Sequence, residues 1–249
     1  MKANFLLISL LALTLTACAG KPKDADTSNT QTAQTMYQQA KEVLDNGLYN
    51  RAIELLMAVE SRYPFGPLAR QVQLDLIYAH YQAGDVQKAL AGIDRFIRLN
   101  PNHPELDYVY YMRGLSNMKA DENTLHNLLG IDRADRDLAS TRQAFDDFKL
   151  LVSSFPNSKY AAEAKKRMLS IKDALARHEL LVADYYMRRG AYLAAANRGK
   201  YIVEFYRDSP LVEQALEIMV ESYDRLGRSK LKEDTYQVLK LNFPQNTKF

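Results

Sequence analysis

The chain has 249 residues, 25% of them charged and 47% hydrophobic, with a formal net charge of +3. Those proportions are those of a globular protein, and 33 basic against 30 acidic residues argue against the markedly basic face that nucleic-acid binding requires. A single cysteine, Cys18, excludes an internal disulfide and a paired-cysteine zinc site.

Lys2 precedes an apolar run over 5–17 that only serine and threonine interrupt, the build of a secretory signal peptide. Thirteen residues fall short of the roughly 20 that a membrane-spanning helix needs. Leu15-Thr16-Ala17-Cys18 resembles the lipobox of bacterial lipoproteins, in which the thiol is diacylated and the new amino terminus acylated. Several acyl chains hold a protein at a bilayer where one does so only marginally. Residues 1–17 are expected to be removed as a signal peptide, leaving Cys18 with S-diacylglycerol and N-acyl groups. Losing Lys2 alone then lowers the formal charge from +3 to about +2. Residues 18–33 read as a flexible lipidated tether, because 19–35 has no bulky apolar side chain and buries too little to offset its ordering entropy.

Beyond the tether, glycine and proline recur with a period. Gly47 to Pro64, Gly84 to Pro101 and Gly227 to Pro244 are each 17 positions apart, and Ala139 stands 17 before Pro156. Between each pair lies an apolar helical pattern, and another precedes each glycine. Helix, glycine turn, helix and proline stop at about 34 residues is the tetratricopeptide signature. Glycine supplies the positive φ of the turn, and a small residue five places on, Ala52 or Ala89, lets the two helices approach. The expected fold is an all-α solenoid of five helix-turn-helix units, at 34–67, 71–104, 106–160, 175–210 and 213–246. Unit three is overlong, with a long loop between helices at 108–118 and 141–153. Unit four reaches Pro210 three positions late, which predicts an extra turn in its second helix.

Stacked units curve, and their first helices line a concave groove. Projecting the repeat places Gln34, Tyr37, Lys41 and Leu44 there in unit one, and Gln71, Leu74, Tyr78 and Tyr81 in unit two. Unit three contributes Tyr108, Tyr111, Leu115 and Met118. Tyrosine offers large contact area with a polar tip and little rotamer cost, so the set suits an amphipathic peptide. Unit five instead presents Gln214, Glu217, Glu221 and Asp224, an acidic surface. His80, His103, His126 and His178 fall in different units without metal-ligand spacing. No nucleophile elbow or Walker loop occurs, so no enzyme activity is expected. Asp132, Arg133, Asp135, Arg136 and Asp137 alternate in sign and read as a cross-paired loop rather than a cation site.

RYPFGPLARQVQLDLIYAHY, IDRFIRLNPNHPELDYVYYMRGL, GIDRADRD and YYMRRGAYLAAANR together resemble the BamD (ComL-type) lipoproteins of proteobacteria over nearly all of the chain after the tether. The resemblance implies a non-catalytic subunit of the β-barrel assembly machinery, without a cofactor, on the periplasmic face of the outer membrane. Ala19 after the lipidated cysteine agrees with outer-membrane sorting. By the same resemblance, repeats over 34–160 bind the C-terminal signals of unfolded outer-membrane proteins, with Tyr37, Lys41, Gln71, Leu74, Tyr78, Tyr81, Tyr108 and Tyr111 as the groove. Repeats over 161–249 dock on the last POTRA domain of BamA and, where present, on BamC or BamE. Arg198, with Asn197, matches the family's BamA contact, after an alanine-rich surface that would let a partner approach. The alternative is a periplasmic tetratricopeptide lipoprotein that organises cell-wall enzymes.

Overall fold

A computed structural model describes residues 25–122 and 138–249 of the chain. Ten helices succeed one another there: α1 (Ala25–Asp45), α2 (Tyr49–Arg62), α3 (Ala69–Ala83), α4 (Val86–Leu99), α5 (Leu106–Glu122), α6 (Ala139–Ser154), α7 (Ala161–Arg188), α8 (Tyr192–Phe205), α9 (Val212–Arg225) and α10 (Ser229–Asn242). No strand occurs among the described residues. The all-α architecture is the one the glycine and proline spacing predicts. Cys18 and the loop residues Asp132, Arg133, Asp135, Arg136 and Asp137 lie outside the described residues.

The glycine turns form as the repeat requires. Gly190 sits at φ +72°, which costs a residue with a Cβ but not glycine. The turn closes α7 with two bonds, from the Ala191 amide to the Tyr186 carbonyl (2.9 Å) and from the Gly190 amide to the Met187 carbonyl (3.0 Å). These satisfy carbonyls that a helix end otherwise leaves open. The left-handed turn recurs at Gly47, Gly84 and Gly227. Five places after Gly47, Gly84 and Gly190, residues Ala52, Ala89 and Ala195 are completely buried.

Three expectations need correction. The second helix of unit four carries no extra turn: α8 has 14 residues, as do α2, α4 and α10. It ends on a bond from the Tyr206 amide to the Ile202 carbonyl, as α2 ends on one from Tyr63 to Val59, both 2.8 Å. Pro210 belongs to the turn that follows, so proline is not what stops this helix. The flexible tether over 18–33 is also too long, because α1 starts at Ala25. No glycine or proline interrupts 25–46, and extending a helix already nucleated further along avoids the nucleation cost. For the same reason α7 runs for 28 residues from Ala161, well ahead of the expected start at 175.

The described residues fall into two compact parts, up to Leu76 and from Ile77 onward. In the first, α1 and α2 pack as an antiparallel hairpin, with Ala40, Leu44, Ala52, Leu56 and Val59 buried. In the second, each helix from α4 to α10 packs on the next. Its main core gathers Phe148, Leu151, Ile171, Leu175, Ala195 and Ile202, each large side chain stabilising by about 1.5–3 kcal/mol when fully buried. A smaller core joins Ala196, Leu216, Met219, Tyr223 and Leu239.

The carboxy-terminal tail folds back on α9. The Asn246 amide donates to Glu213 Oε1 (2.8 Å) and Glu217 Oε1 (2.6 Å), and Lys240 Nζ donates to the Asn246 carbonyl (2.9 Å). Lys248 Nζ lies 3.2 Å from Glu217 Oε2. The acidic surface of unit five is therefore largely engaged within the chain: Asp224 pairs with Lys232 at 2.8 Å and Glu221 with Arg225 at 3.7 Å.

Candidate functional site

The expected groove residues fall in both compact parts, and each part places them separately. In the first, the Tyr37 hydroxyl donates to Asp75 Oδ2 (2.7 Å) and Gln71 Nε2 donates to Asp75 Oδ1 (3.2 Å). Asp75 is buried. Burial pushes its carboxyl above the usual carboxylate range, against the opposing pull of Tyr37, Lys41 and Gln71. Burial, followed by the Asp75 hydrogen bond, also raises the Tyr37 hydroxyl well above its ordinary value. Tyr37 and Gln71 thus share one buried acid, while Lys41 pairs with Asp45. Leu74, only 3% exposed, is a packing residue rather than a groove residue, and Leu44 is buried alike. Both sit on the inward face of their helices, deeper than a ligand-lining side chain would.

In the second part, Tyr78 accepts a hydrogen bond from Gln82 Nε2 (2.9 Å). Lys119 reaches back to Tyr81, donating to its carbonyl (2.7 Å) with the ammonium 4.7 Å from the ring centroid. Tyr111 stacks on Tyr160 at 4.8 Å between centroids, and Tyr108 lies 5.7 Å from the same ring. The Arg167 guanidinium stands 6.0 Å from the Tyr111 ring and Lys159 Nζ 5.0 Å from that of Tyr160. Half-buried tyrosines with cations over their faces form an amphipathic strip, in which Arg167 also pairs with Glu163 at 3.1 Å. Tyr160 belongs to this cluster and escaped the repeat projection, because it precedes α7 in a turn without helical phase.

Arg198 and Asn197 project from α8. Asn197 is exposed. Arg198 Nη1 donates to Glu179 Oε2 on α7 at 2.9 Å, and Arg142 Nη2 of α6 lies 4.0 Å from the other oxygen. That hydrogen bond raises the Arg198 pKa further still. Arg198 is accordingly neither a purely solvated helix residue nor a free interface cation. Beside it, Tyr186, Ala194, Asn197, Arg198 and Tyr201 line a recess of about 330 Å³. Along α8, Leu193, Tyr201 and Phe205 are exposed and share one stripe with Asn197, since four-residue spacing stacks side chains on one face. The alanine-rich surface has a different use from the one expected. Ala195 and Ala196 are completely buried, and a Cβ on Gly199 would meet the Ala215 carbonyl of α9 at 2.8 Å. The small face seats α9 and leaves no room for an outside partner.

Another acid was missed alongside Glu179 and Asp75. Asp147, 1% exposed, accepts from Arg113 Nε (2.8 Å), Asn117 Nδ2 (2.7 Å) and Gln143 Nε2 (3.2 Å). Burial nonetheless pushes its carboxyl above the usual range, against Arg113 and the amides. No cluster of His, Cys, Asp and Glu able to hold a metal occurs among the described residues, and no described helix is long and apolar enough to cross a membrane.

The YfiO family model, described as an outer membrane lipoprotein, matches residues 29–239. The outer membrane protein assembly factor BamD of Neisseria meningitidis serogroup A is 44% identical, over 99% of this chain and 93% of its own. BamD of Vibrio cholerae serotype O1 is 44% identical over 95% of this chain and 97% of its own. A solved tetratricopeptide repeat protein from Parabacteroides merdae aligns with 84% of this chain and 79% of its own, at 17% identity and a TM-score of 0.39. With the family model and these relatives spanning nearly the whole of it, the chain belongs to the BamD family of outer membrane lipoproteins.

Proposed function

We propose that the protein is a lipid-anchored subunit of a β-barrel assembly machine on the periplasmic face of the outer membrane. In this role it is a non-catalytic scaffold, without a cofactor beyond the acyl groups on Cys18. It receives the C-terminal signals of unfolded outer-membrane proteins through repeats over 34–160 and docks on the last POTRA domain of BamA through repeats over 161–249. BamC and BamE are further partners where they exist.

The observation that carries this is the 44% identity over 99% of the chain to a relative called an outer membrane protein assembly factor. The tyrosine strip of Tyr108, Tyr111 and Tyr160, with Arg167 and Lys159 over its rings, supports the peptide reading. A strand that ends in an aromatic residue and a carboxylate presents the complementary chemistry. The exposed stripe of Leu193, Asn197, Tyr201 and Phe205, with the Arg198 recess beside it, supports docking on α8.

The test is a mild-detergent pull-down of the lipidated, tagged chain from membranes, with bound proteins identified by mass spectrometry. BamA in near-stoichiometric amount is expected. Cell-wall enzymes without BamA would overturn the proposal in favour of a cell-wall scaffold. Replacing Tyr78 and Tyr81 by alanine tests the groove, since signal-peptide affinity should fall while circular dichroism is unchanged.

A further inference from the structure

Phe65 is the most exposed large hydrophobic residue described, at 90%. It stands in the turn Tyr63-Pro64-Phe65-Gly66-Pro67 between α2 and α3, a motif that the peptide groove and the α8 stripe leave unused. Two prolines hold φ near −65°, and Gly66 takes φ +125°, which a residue with a Cβ rarely adopts. The Ala69 amide closes the turn on the Gly66 carbonyl at 3.3 Å. A turn this constrained holds Phe65 outward.

Single exposed apolar side chains are ordinary, so the surroundings decide. Two exposed arginines, Arg62 and Arg70, flank the turn, with Glu60 the nearest acid in sequence. The position in the hairpin is the second observation. α1 and α2 are joined by the three residues 46–48 and pack on each other, so they run antiparallel. The turn at 63–68 therefore lies at the end of the hairpin where the chain enters α1, roughly 21 Å from Leu48 for 14 residues of helix. Six residues separate Cys18 from Ala25, and the seven steps between them reach at most about 24 Å. The aromatic tip, Arg62 and the start of α1, from which Cys18 is at most that reach away, share one end of this hairpin.

We propose that this turn is a second contact with the bilayer that holds the anchor. Phe65 enters the interfacial layer, and Arg62 and Arg70 meet anionic headgroups. Aromatic side chains favour that layer, and arginines near an anionic leaflet add attraction. The acyl groups supply the binding, and the turn sets the orientation of the first hairpin against the membrane. This rests on the lipidation of Cys18 argued under the proposed function.

The chain contains no tryptophan, so Phe65→Trp makes a lone reporter at a position with room for it. The lipidated variant is reconstituted into phosphatidylethanolamine vesicles containing phosphatidylglycerol, floated on a density gradient, and its emission read with and without brominated lipids. Leu48→Trp, at the opposite end of the hairpin and also exposed, is the control. The expected result is flotation of both variants. The Phe65→Trp emission should be blue-shifted and quenched about twofold by brominated lipid, as an interfacial aromatic would be, and the Leu48→Trp emission unquenched. A floating Phe65→Trp protein whose indole emission stays water-like overturns the membrane contact and leaves the anchor standing. Equal quenching in the two variants overturns the orientation. A Phe65→Trp signal that responds to an added barrel C-terminal peptide and not to lipid makes the turn a peptide contact and overturns the proposal. Failure to float removes the anchor, and the proposal with it.

Discussion

Arg198 Nη1 lies 2.9 Å from Oε2 of Glu179, a carboxylate 3% exposed and 19 residues earlier in the chain. One guanidinium therefore both faces a surface recess and neutralises a buried acid. Arg198→Glu would set two carboxylates together at the buried end. Breaking a buried pair costs about 3–5 kcal/mol. Arg198 is half exposed and Arg142 remains near Glu179, so a loss of about 1–3 kcal/mol is expected. Thermal unfolding should show it, and adding Glu179→Gln should restore most of the stability. If Arg198→Glu leaves Tm unchanged, the pair contributes nothing and the variant is a clean interface probe.

Gly199 is expected to tolerate no side chain. A Cβ there meets a backbone oxygen of α9 at 2.8 Å, and backbone cannot swing aside. Gly199→Val should destabilise by about 1–3 kcal/mol through overpacking, separating α8 from α9. Gly92→Ala is the contrast, because its Cβ meets only Ile77 Cγ1 at 3.2 Å, the side chain of a single residue. There the gain in helix propensity, about 1 kcal/mol, should leave stability level or higher. Chemical denaturation of both variants checks the pair.

Asp147 gives a pH signature. Its carboxyl is raised by burial above the ordinary 3.8, so the folded state holds the proton more tightly than the unfolded one. Its contribution is therefore full below 3.8 and declines as pH rises through the folded value. In Asp147→Asn that contribution is gone at every pH. The variant should be less stable than the parent, with the gap widest on the acid side and narrowing towards neutrality. Paired denaturation curves from neutral pH down to the acid limb measure this, and a gap that widens with rising pH would contradict the sign.

Tyr37→Phe removes one donor from buried Asp75 and leaves Gln71. Leaving a buried acceptor short of a partner costs about 1–3 kcal/mol, and the remaining amide should keep the loss near the lower end. The loss is read by thermal unfolding, and an unchanged midpoint would mean that water replaces the hydroxyl.

Under the proposed acylation, Cys18→Ser should release the protein from membranes into the soluble periplasmic fraction, since the acyl chains would then be what holds it there. Persistent membrane fractionation would mean that protein contacts alone retain it.

The helical succession was legible because each repeat writes its own punctuation. Gly47, Gly84, Gly190 and Gly227 stand where a left-handed turn is needed, and Ala52, Ala89 and Ala195 where two helices touch. Pro210 misled because proline marks where a helix cannot continue, whereas Tyr206 shows where α8 in fact stops. The candidate groove was only partly legible, since projecting a period assigns a face and not a depth. Leu74 fell inside it for that reason. The buried acids did leave a trace. Asp75 follows Val72, Asp147 follows Ala144 and Glu179 follows Leu175, each in phase with the apolar stripe of its own helix. An acid in that phase needs partners, and those partners, Tyr37, Arg113 and Arg198, come from other helices at separations no local pattern encodes.

In a succession of helices such as α4 to α10, each packed on the next, the end helix α10 has one such neighbour only. Asn246 fastens that end by bridging Glu213 and Glu217 while its own carbonyl holds Lys240. The tail thus serves as a clasp over the final hairpin. A stop codon ahead of Asn246 would open the clasp and leave two carboxylates facing one another. Unzipping from that end would then show first in the amide exchange of α10, well before the core around Phe148 and Ile202 registers any change.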